Sequence, residues 1–328
     1  MSGIIGHITY AMLGRVAAEK RGLPVVPVID NFLPSYLAGT YLGIDIMTLP
    51  GGVCTECGDE WGYCGSKPDS CPNDGSELKP YLLEVDGERH TPIDVHDLFY
   101  GRTHLMFGWQ KNEQSLTLNW EQLPDYFGHT LSDAVRFYGP GACHLAYILG
   151  WIAHVVGDAL IKSVQPGLKL HLLNGTYTPQ NRPLQDLYSF HEVGQKDLGL
   201  DWDKLMSDLA HTPVESVQAH YMRATEPRGN LAEHYPDGWK PELERLLTRV
   251  MEENRRYQRI RNRRLLKQME LATGSGWREC DAELAENSGI KSYDKMVEMC
   301  EEAEFRRALE FIGESVADMF AKICSRAF

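Results

Sequence analysis

Positive charge is in short supply in this chain: 33 Lys plus Arg stand against 46 Asp plus Glu, a net charge of -13 over 328 residues. Such a surplus of acid argues against broad attraction to nucleic acid or to an anionic membrane, so a phosphate-bearing partner has to be caught by local groups. Long apolar runs are lacking too. The longest candidate, Gly141 to Ala153, falls short of the roughly 18 uncharged residues of a spanning helix and contains His144, which predicts a chain that does not cross a membrane. Met1 to His7 carries neither a basic stretch nor a small-residue cleavage site, and the expectation is a cytoplasmic protein. Internal repeats and low-complexity tracts are absent. Histidine is missing beyond His234, so imidazole chemistry belongs to the N-terminal two-thirds.

With 43% hydrophobic and 24% charged residues, the composition suits a globular protein with a large core. Ile4, Ile8, Met12 and Val16 recur at helical spacing and predict a helix over 3–21, ended by Arg-Gly-Leu-Pro. A short helix or turn is expected over 35–42, with Asp45 just before a Leu-Pro-Gly-Gly stop. Further helices are expected near 95–109 and over 130–137, 142–163, 184–196, 203–225, 240–271 and 292–325. The last has Phe305, Leu309, Ile312, Val316, Met319 and Ile323 in a stripe. From 51 to about 88 the composition turns to Gly, Cys, Asp, Pro and Ser, with one expected strand, Tyr81 to Val85, leading into an Asp86-Gly87 turn. The reading is an all-α helical metal-binding domain over 1–235, holding a cysteine-rich insert at about 51–88, followed by a helical extension over 236–328.

His154-Val-Val-Gly-Asp158 places an imidazole and a carboxylate one turn apart, able to reach one cation. The pair interrupts an apolar stretch, Ala146 to Ala153, where a carboxylate without a partner would cost several kcal/mol. His144 and Trp151 fall on the same helical face. Cys54, Cys57, Cys64 and Cys71 are spaced C-x2-C-x6-C-x6-C, which suits a tetrahedral structural zinc; reduced structural cysteines and two disulfides are the other readings. Arg255 to Lys267 holds seven cations in thirteen residues, either a phosphate contact or a solvated face paired with Glu252, Glu253 and Glu270. His96-Asp97 is the core dipeptide of the His-Asp phosphohydrolases and opens an alternative.

Tyr147 to Ala159 resembles the central metal-binding helix of the zinc-dependent phospholipase C family, whose superfamily includes zinc-dependent single-strand nucleases. Three further segments are similar, in the family's order: Gly6-His7, Leu37 to Ile46 with Ile44 where proline is usual, and Leu98 to His104. The resemblance covers about residues 1–195 and implies a phospholipase C-like multi-helix fold. It implies that Asp45, His104, His154 and Asp158 hold one metal, that Asp158 bridges to a second held by His7, and that Asp45 serves the attacking water. It further implies two or three catalytic zinc ions and a phosphate-containing substrate. The sequence departs at the third site: Ile161 to Val164 lacks the expected histidine, and Arg182-Pro-Leu-Gln-Asp186 retains only the carboxylate of an HxxxE pair. His171, His191 or Glu192 could rebuild that site. A metal-stabilised binding protein without catalysis is the alternative from another class, and a small soluble phosphoester is expected over a phospholipid or a nucleic acid.

Overall fold

The computed structural model describes residues 3–41, 49–62, 67–93, 95, 108–110, 113–115, 120–161, 182–212, 245, 249, 252 and 292–327. The chain divides into two compact units, one of residues 1–41, 120–212 and 265–328, the other of 42–119 and 213–264. The 236–328 range read as an extension is thus shared between them at residue 264.

The first unit is helical. Its elements are α1 (Ile4–Lys20), α2 (Val26–Asn31), α3 (Leu33–Gly39), α4 (Leu123–Tyr138), α5 (Cys143–Ile161), α6 (Arg182–Tyr188), a π-helix (Ser189–Asp197), α7 (Trp202–His211), α8 (Tyr293–Glu302) and α9 (Phe305–Ala327). The described residues are therefore mostly helical, as the periodicities predict. The 130–137 helix begins earlier than expected, at Leu123, where Pro124 occupies the first turn and needs no donor. The expected 292–325 helix is two. Glu304 takes a φ of 53°, a left-handed turn that no α-helix continues through.

α5 is buried from Leu145 to Ile161, and α1 without a break from Ile4 to Met12. Both are central: α1 packs on α9, α5 and the π-helix, while α5 packs on α3, α9 and α4. The stripe on α9 faces this core, each of its six residues 2% exposed or less. A fully buried leucine or isoleucine stabilises by about 1.5–3 kcal/mol, so the α9 stripe is a principal part of the unit's stability. By length and composition α5 could cross a membrane, longer than the run read from sequence, yet 94% of its apolar window is buried by other helices.

Two close approaches set the helix spacing. A Cβ added at Gly39 would lie 2.0 Å from the Tyr147 carbonyl oxygen, and one at Gly150 would lie 1.9 Å from that of Tyr36. α3 and α5 therefore touch backbone to backbone. At Gly157 an added Cβ would stand 2.6 Å from the Tyr10 ring, which seats α1 against α5 about two turns beyond Gly150.

The described part of the second unit holds three short antiparallel sheets. β1 (Gly52–Cys54) lies between β2 (Glu60–Trp61) and β3 (Leu78–Pro80), antiparallel to both, with Cys54 opposite Leu78. β4 (Leu83–Val85) ends in the turn expected at Asp86-Gly87, both turn residues having positive φ as a primed turn requires, and pairs with a strand that was not expected, β5 (Glu88–His90), in a hairpin. β6 (Gly108–Gln110) and β7 (Glu113–Ser115) form a second hairpin. These sheets qualify the all-α reading.

Candidate metal centres

In the first unit, the close approaches of the helices bring together three residues singled out in the sequence. Gly150 lets α3 approach until the carbonyl of Thr40, at its end, reaches α5 one turn further on. There His154 Nδ1 lies 2.7 Å from the Thr40 oxygen. A carbonyl can only accept, so Nδ1 carries the proton and Nε2 is the nitrogen left to bind a cation. Asp158 sits one turn along α5. Across from it, α1 presents His7, held by the Gly157–Tyr10 contact one turn away, with Nε2 3.7 Å from Asp158 Oδ1. The His7 and His154 rings stack at 4.2 Å and 22°. Tyr10 meets the His7 ring edge-on at 5.7 Å, and Tyr41 lies tilted at the same distance. His7, His154 and Asp158 are 1% exposed or less.

Asp186 is nearby in the packing: its Oδ1 accepts from the backbone N–H of Gly6, beside His7, at 3.2 Å. The carboxylate thus meets the first turn of α1, where helix N–H groups favour an anion. Glu192 is otherwise engaged. Lys196 Nζ donates to its two oxygens at 2.6 and 2.7 Å, and Tyr293 OH donates at 2.7 Å. His191 Nδ1 pairs with Gln195 Oε1 at 3.0 Å. His144 stacks on Tyr138 at 3.6 Å, and Trp151 is a core residue edge-on to Phe127. Burial holds the His144 imidazole below its ordinary pKa. Asp45, His96, Asp97, His104, His171, Arg102 and the 255–267 basic segment lie outside the described residues.

The second centre is in the cysteine-rich module. Cys54, Cys57, Cys71 and Asp74 offer ligand atoms all within 4.8 Å of one another, a group that could hold a metal ion. Among the described residues, this is the group that draws three or more ligand atoms so close. It arises from two turns of the same design. Cys54-Thr-Glu-Cys57-Gly58 closes with Gly58 N–H on the Cys54 carbonyl, and Cys71-Pro-Asn-Asp74-Gly75 closes with Gly75 N–H on that of Cys71. Gly58 and Gly75 have φ of 71° and 76°, the left-handed conformation that ends each turn and favours glycine.

Three of the four expected cysteines are thus in place, and Cys64 lies outside the described residues. Asp74 was not anticipated. Its signal was legible all the same, since Cys71-x2-Asp74-Gly75 repeats Cys54-x2-Cys57-Gly58 with a carboxylate for a thiol. Burial alone would push the Cys54 thiol up, but the backbone N–H groups of Cys57 and Glu56, each 3.4 Å from its sulfur, bring it below its ordinary value. The backbone N–H of Asp59 favours the Cys57 thiolate, yet burial and the neighbouring sulfurs of Cys54 and Cys71 push that thiol up to about 12. The Ser76 N–H and hydroxyl hold Asp74 down at about 2. Three sulfurs this close resist shared ionisation unless a cation joins them.

No family model, curated protein or solved structure matches this chain.

Proposed function

We propose that this protein is a metal-dependent hydrolase of phosphoesters, with its reaction centre at His7, His154 and Asp158. One observation carries the reading: two imidazoles and a carboxylate from α1 and α5 lie side by side in an apolar core, and the bond of His154 to Thr40 leaves Nε2 as its nitrogen available to a cation. These donors suit zinc, which takes imidazole nitrogen and carboxylate oxygen alike. The order Gly6-His7 then His154-x3-Asp158 supports the phosphoester class through its resemblance to the zinc-dependent phospholipases C.

Bound there, zinc would supply Lewis acidity, lowering the pKa of a water toward about 7 and offsetting charge on phosphoryl oxygens. The chain's own residues set the stage for that chemistry. Thr40 fixes the plane and tautomer of His154. Asp158 contributes the negative charge that retains a divalent cation, and His7 stands beside its Oδ1. Trp151, Val155 and the rest of α5 keep bulk water away, which strengthens each electrostatic interaction inside. With a net charge of -13 the favoured substrate is a small soluble phosphoester, not a phospholipid in an anionic surface.

The near-complete burial of all three residues, with Glu192 committed to Lys196 and Tyr293, favours a second reading: zinc as a core staple without catalysis. One experiment separates the two. Zinc-loaded protein is assayed on a soluble phosphodiester and on short-chain phospholipid vesicles, beside His154→Ala and Asp158→Asn. Turnover of the soluble diester that both variants abolish supports hydrolysis. Stoichiometric zinc that raises Tm without turnover leaves the staple, and unchanged zinc content in both variants removes the centre altogether.

A further inference from the structure

Two separations within the cysteine module match edges of a coordination tetrahedron, and all four ligand atoms lie within 4.8 Å of one another. With metal–sulfur bonds of about 2.3 Å and a metal–oxygen bond of about 2.0 Å, tetrahedral ligands stand about 3.8 Å apart sulfur to sulfur and about 3.5 Å apart sulfur to oxygen. Cys57 Sγ and Cys71 Sγ are 3.7 Å apart, and Cys54 Sγ lies 3.7 and 3.6 Å from the two oxygens of Asp74. Sulfurs at that separation are far from the roughly 2.0 Å of a disulfide, and the three cysteines are free thiols. The module has little else to hold it. Its buried apolar cluster is Cys54, Cys71 and Leu78, with Trp61 partly covering it.

We infer that Cys54, Cys57, Cys71 and Asp74 form a structural zinc site, with Asp74 as the fourth ligand, and that zinc supplies the folding energy which so small a core lacks. This site is independent of the His7–His154–Asp158 reading, since it uses different residues in a different unit. Binding converts three thiols to thiolates and releases their protons to solvent, while the Asp74 carboxylate adds its charge directly. A three-thiolate, one-carboxylate set selects zinc over magnesium or calcium, because thiolate is a soft donor that hard cations bind poorly. Glu56 and Cys57 donate their N–H groups to Cys54 Sγ and so spread its thiolate charge.

The test is metal content of the full chain purified under reducing conditions, with cobalt substitution as an independent probe. Cys57→Ser and Asp74→Ala should each lose about one zinc equivalent and become sensitive to proteolysis within 51–88, whereas Cys64→Ser and His154→Ala should keep the module's zinc. Asp74→Cys, which restores a ligand, should keep it as well, which guards against a mere folding failure in Asp74→Ala. The cobalt form should show charge transfer from three thiolates, rising to four in Asp74→Cys. Full zinc in Asp74→Ala, loss of zinc from Cys64→Ser, or four-thiolate intensity in the unaltered chain would each overturn the assignment.

Discussion

His154 Nδ1 donates to the carbonyl oxygen of Thr40 across 2.7 Å, and this bond from α5 to the end of α3 decides what the imidazole can do. With Nδ1 committed, Nε2 is the ring nitrogen left to bind a cation, and the ring itself stacks on that of His7. Nitrogen-15 spectra of histidine should therefore show the Nδ1–H tautomer for His154, with an Nε2 shift that moves when zinc is added. An Nε2–H tautomer that ignores zinc would end the ligand role. Zinc at about a hundred times its dissociation constant should also stabilise the unaltered chain by about 2.7 kcal/mol through mass action. That part of the gain that belongs to the histidine centre should vanish in Asp158→Asn.

Gly150 is the position on which that geometry rests. Its α-hydrogen faces the Tyr36 carbonyl, and a methyl group there would lie 1.9 Å from the oxygen, so α3 has to move away from α5 in Gly150→Ala. The variant should lose about 1–3 kcal/mol to overpacking. It should also bind zinc at His154 more weakly, because Thr40 moves with α3. Urea denaturation read beside zinc content checks both, and a variant with native stability would show that the helices are not in backbone contact.

The helices were legible because their apolar residues repeat at helical spacing, and the stripe on α9 faces the core at every one of its six positions. The Asp86-Gly87 turn was legible for a similar reason, the dipeptide specifying its own turn, though not the strand β5 that follows it. What the sequence hid was set by tertiary contacts. The end of α6 widens into a π-helix where the Phe190 carbonyl accepts from Trp202 Nε1 at 3.2 Å, a partner twelve residues away that no local pattern announces. The histidine centre was legible in residue type, through His154-x3-Asp158, but not in the groups that orient it, since Thr40 contributes a backbone carbonyl and Gly39 and Gly150 contribute the absence of a side chain.

Glu192 gives a pH dependence of known sign. Burial raises its carboxyl, but the hydrogen bonds from Lys196 and Tyr293 outweigh this and leave it below the ordinary 4.5. A carboxylate whose folded value is depressed contributes stability that is present above its unfolded value and lost as pH falls through the folded one. Glu192→Gln should therefore lower Tm at pH 7, and the gap to the unaltered chain should close below about pH 4.5. Thermal scans from pH 7 to pH 3 test this, and a gap that stays constant over the range would contradict it.

Gln185 is 2% exposed, and neither its Oε1 nor its Nε2 has a hydrogen-bond partner among the described residues; Ser189 Oγ, one turn on, is in the same position. A buried amide without a partner costs about 1–3 kcal/mol, whereas an apolar side chain of the same length there would cost nothing in lost hydrogen bonds. Gln185→Met keeps the shape and removes the polar atoms, so it should stabilise the protein. For a chain of 328 residues about 1 kcal/mol corresponds to roughly 1–2 °C in Tm. The amide adjoins Asp186, whose carboxylate holds the backbone of Gly6 beside His7, so the variant should leave zinc content unchanged if Gln185 only fills space. A fall in Tm would show that the amide has a partner, and a rise in Tm joined to loss of zinc would place Gln185 in the support of the histidine centre.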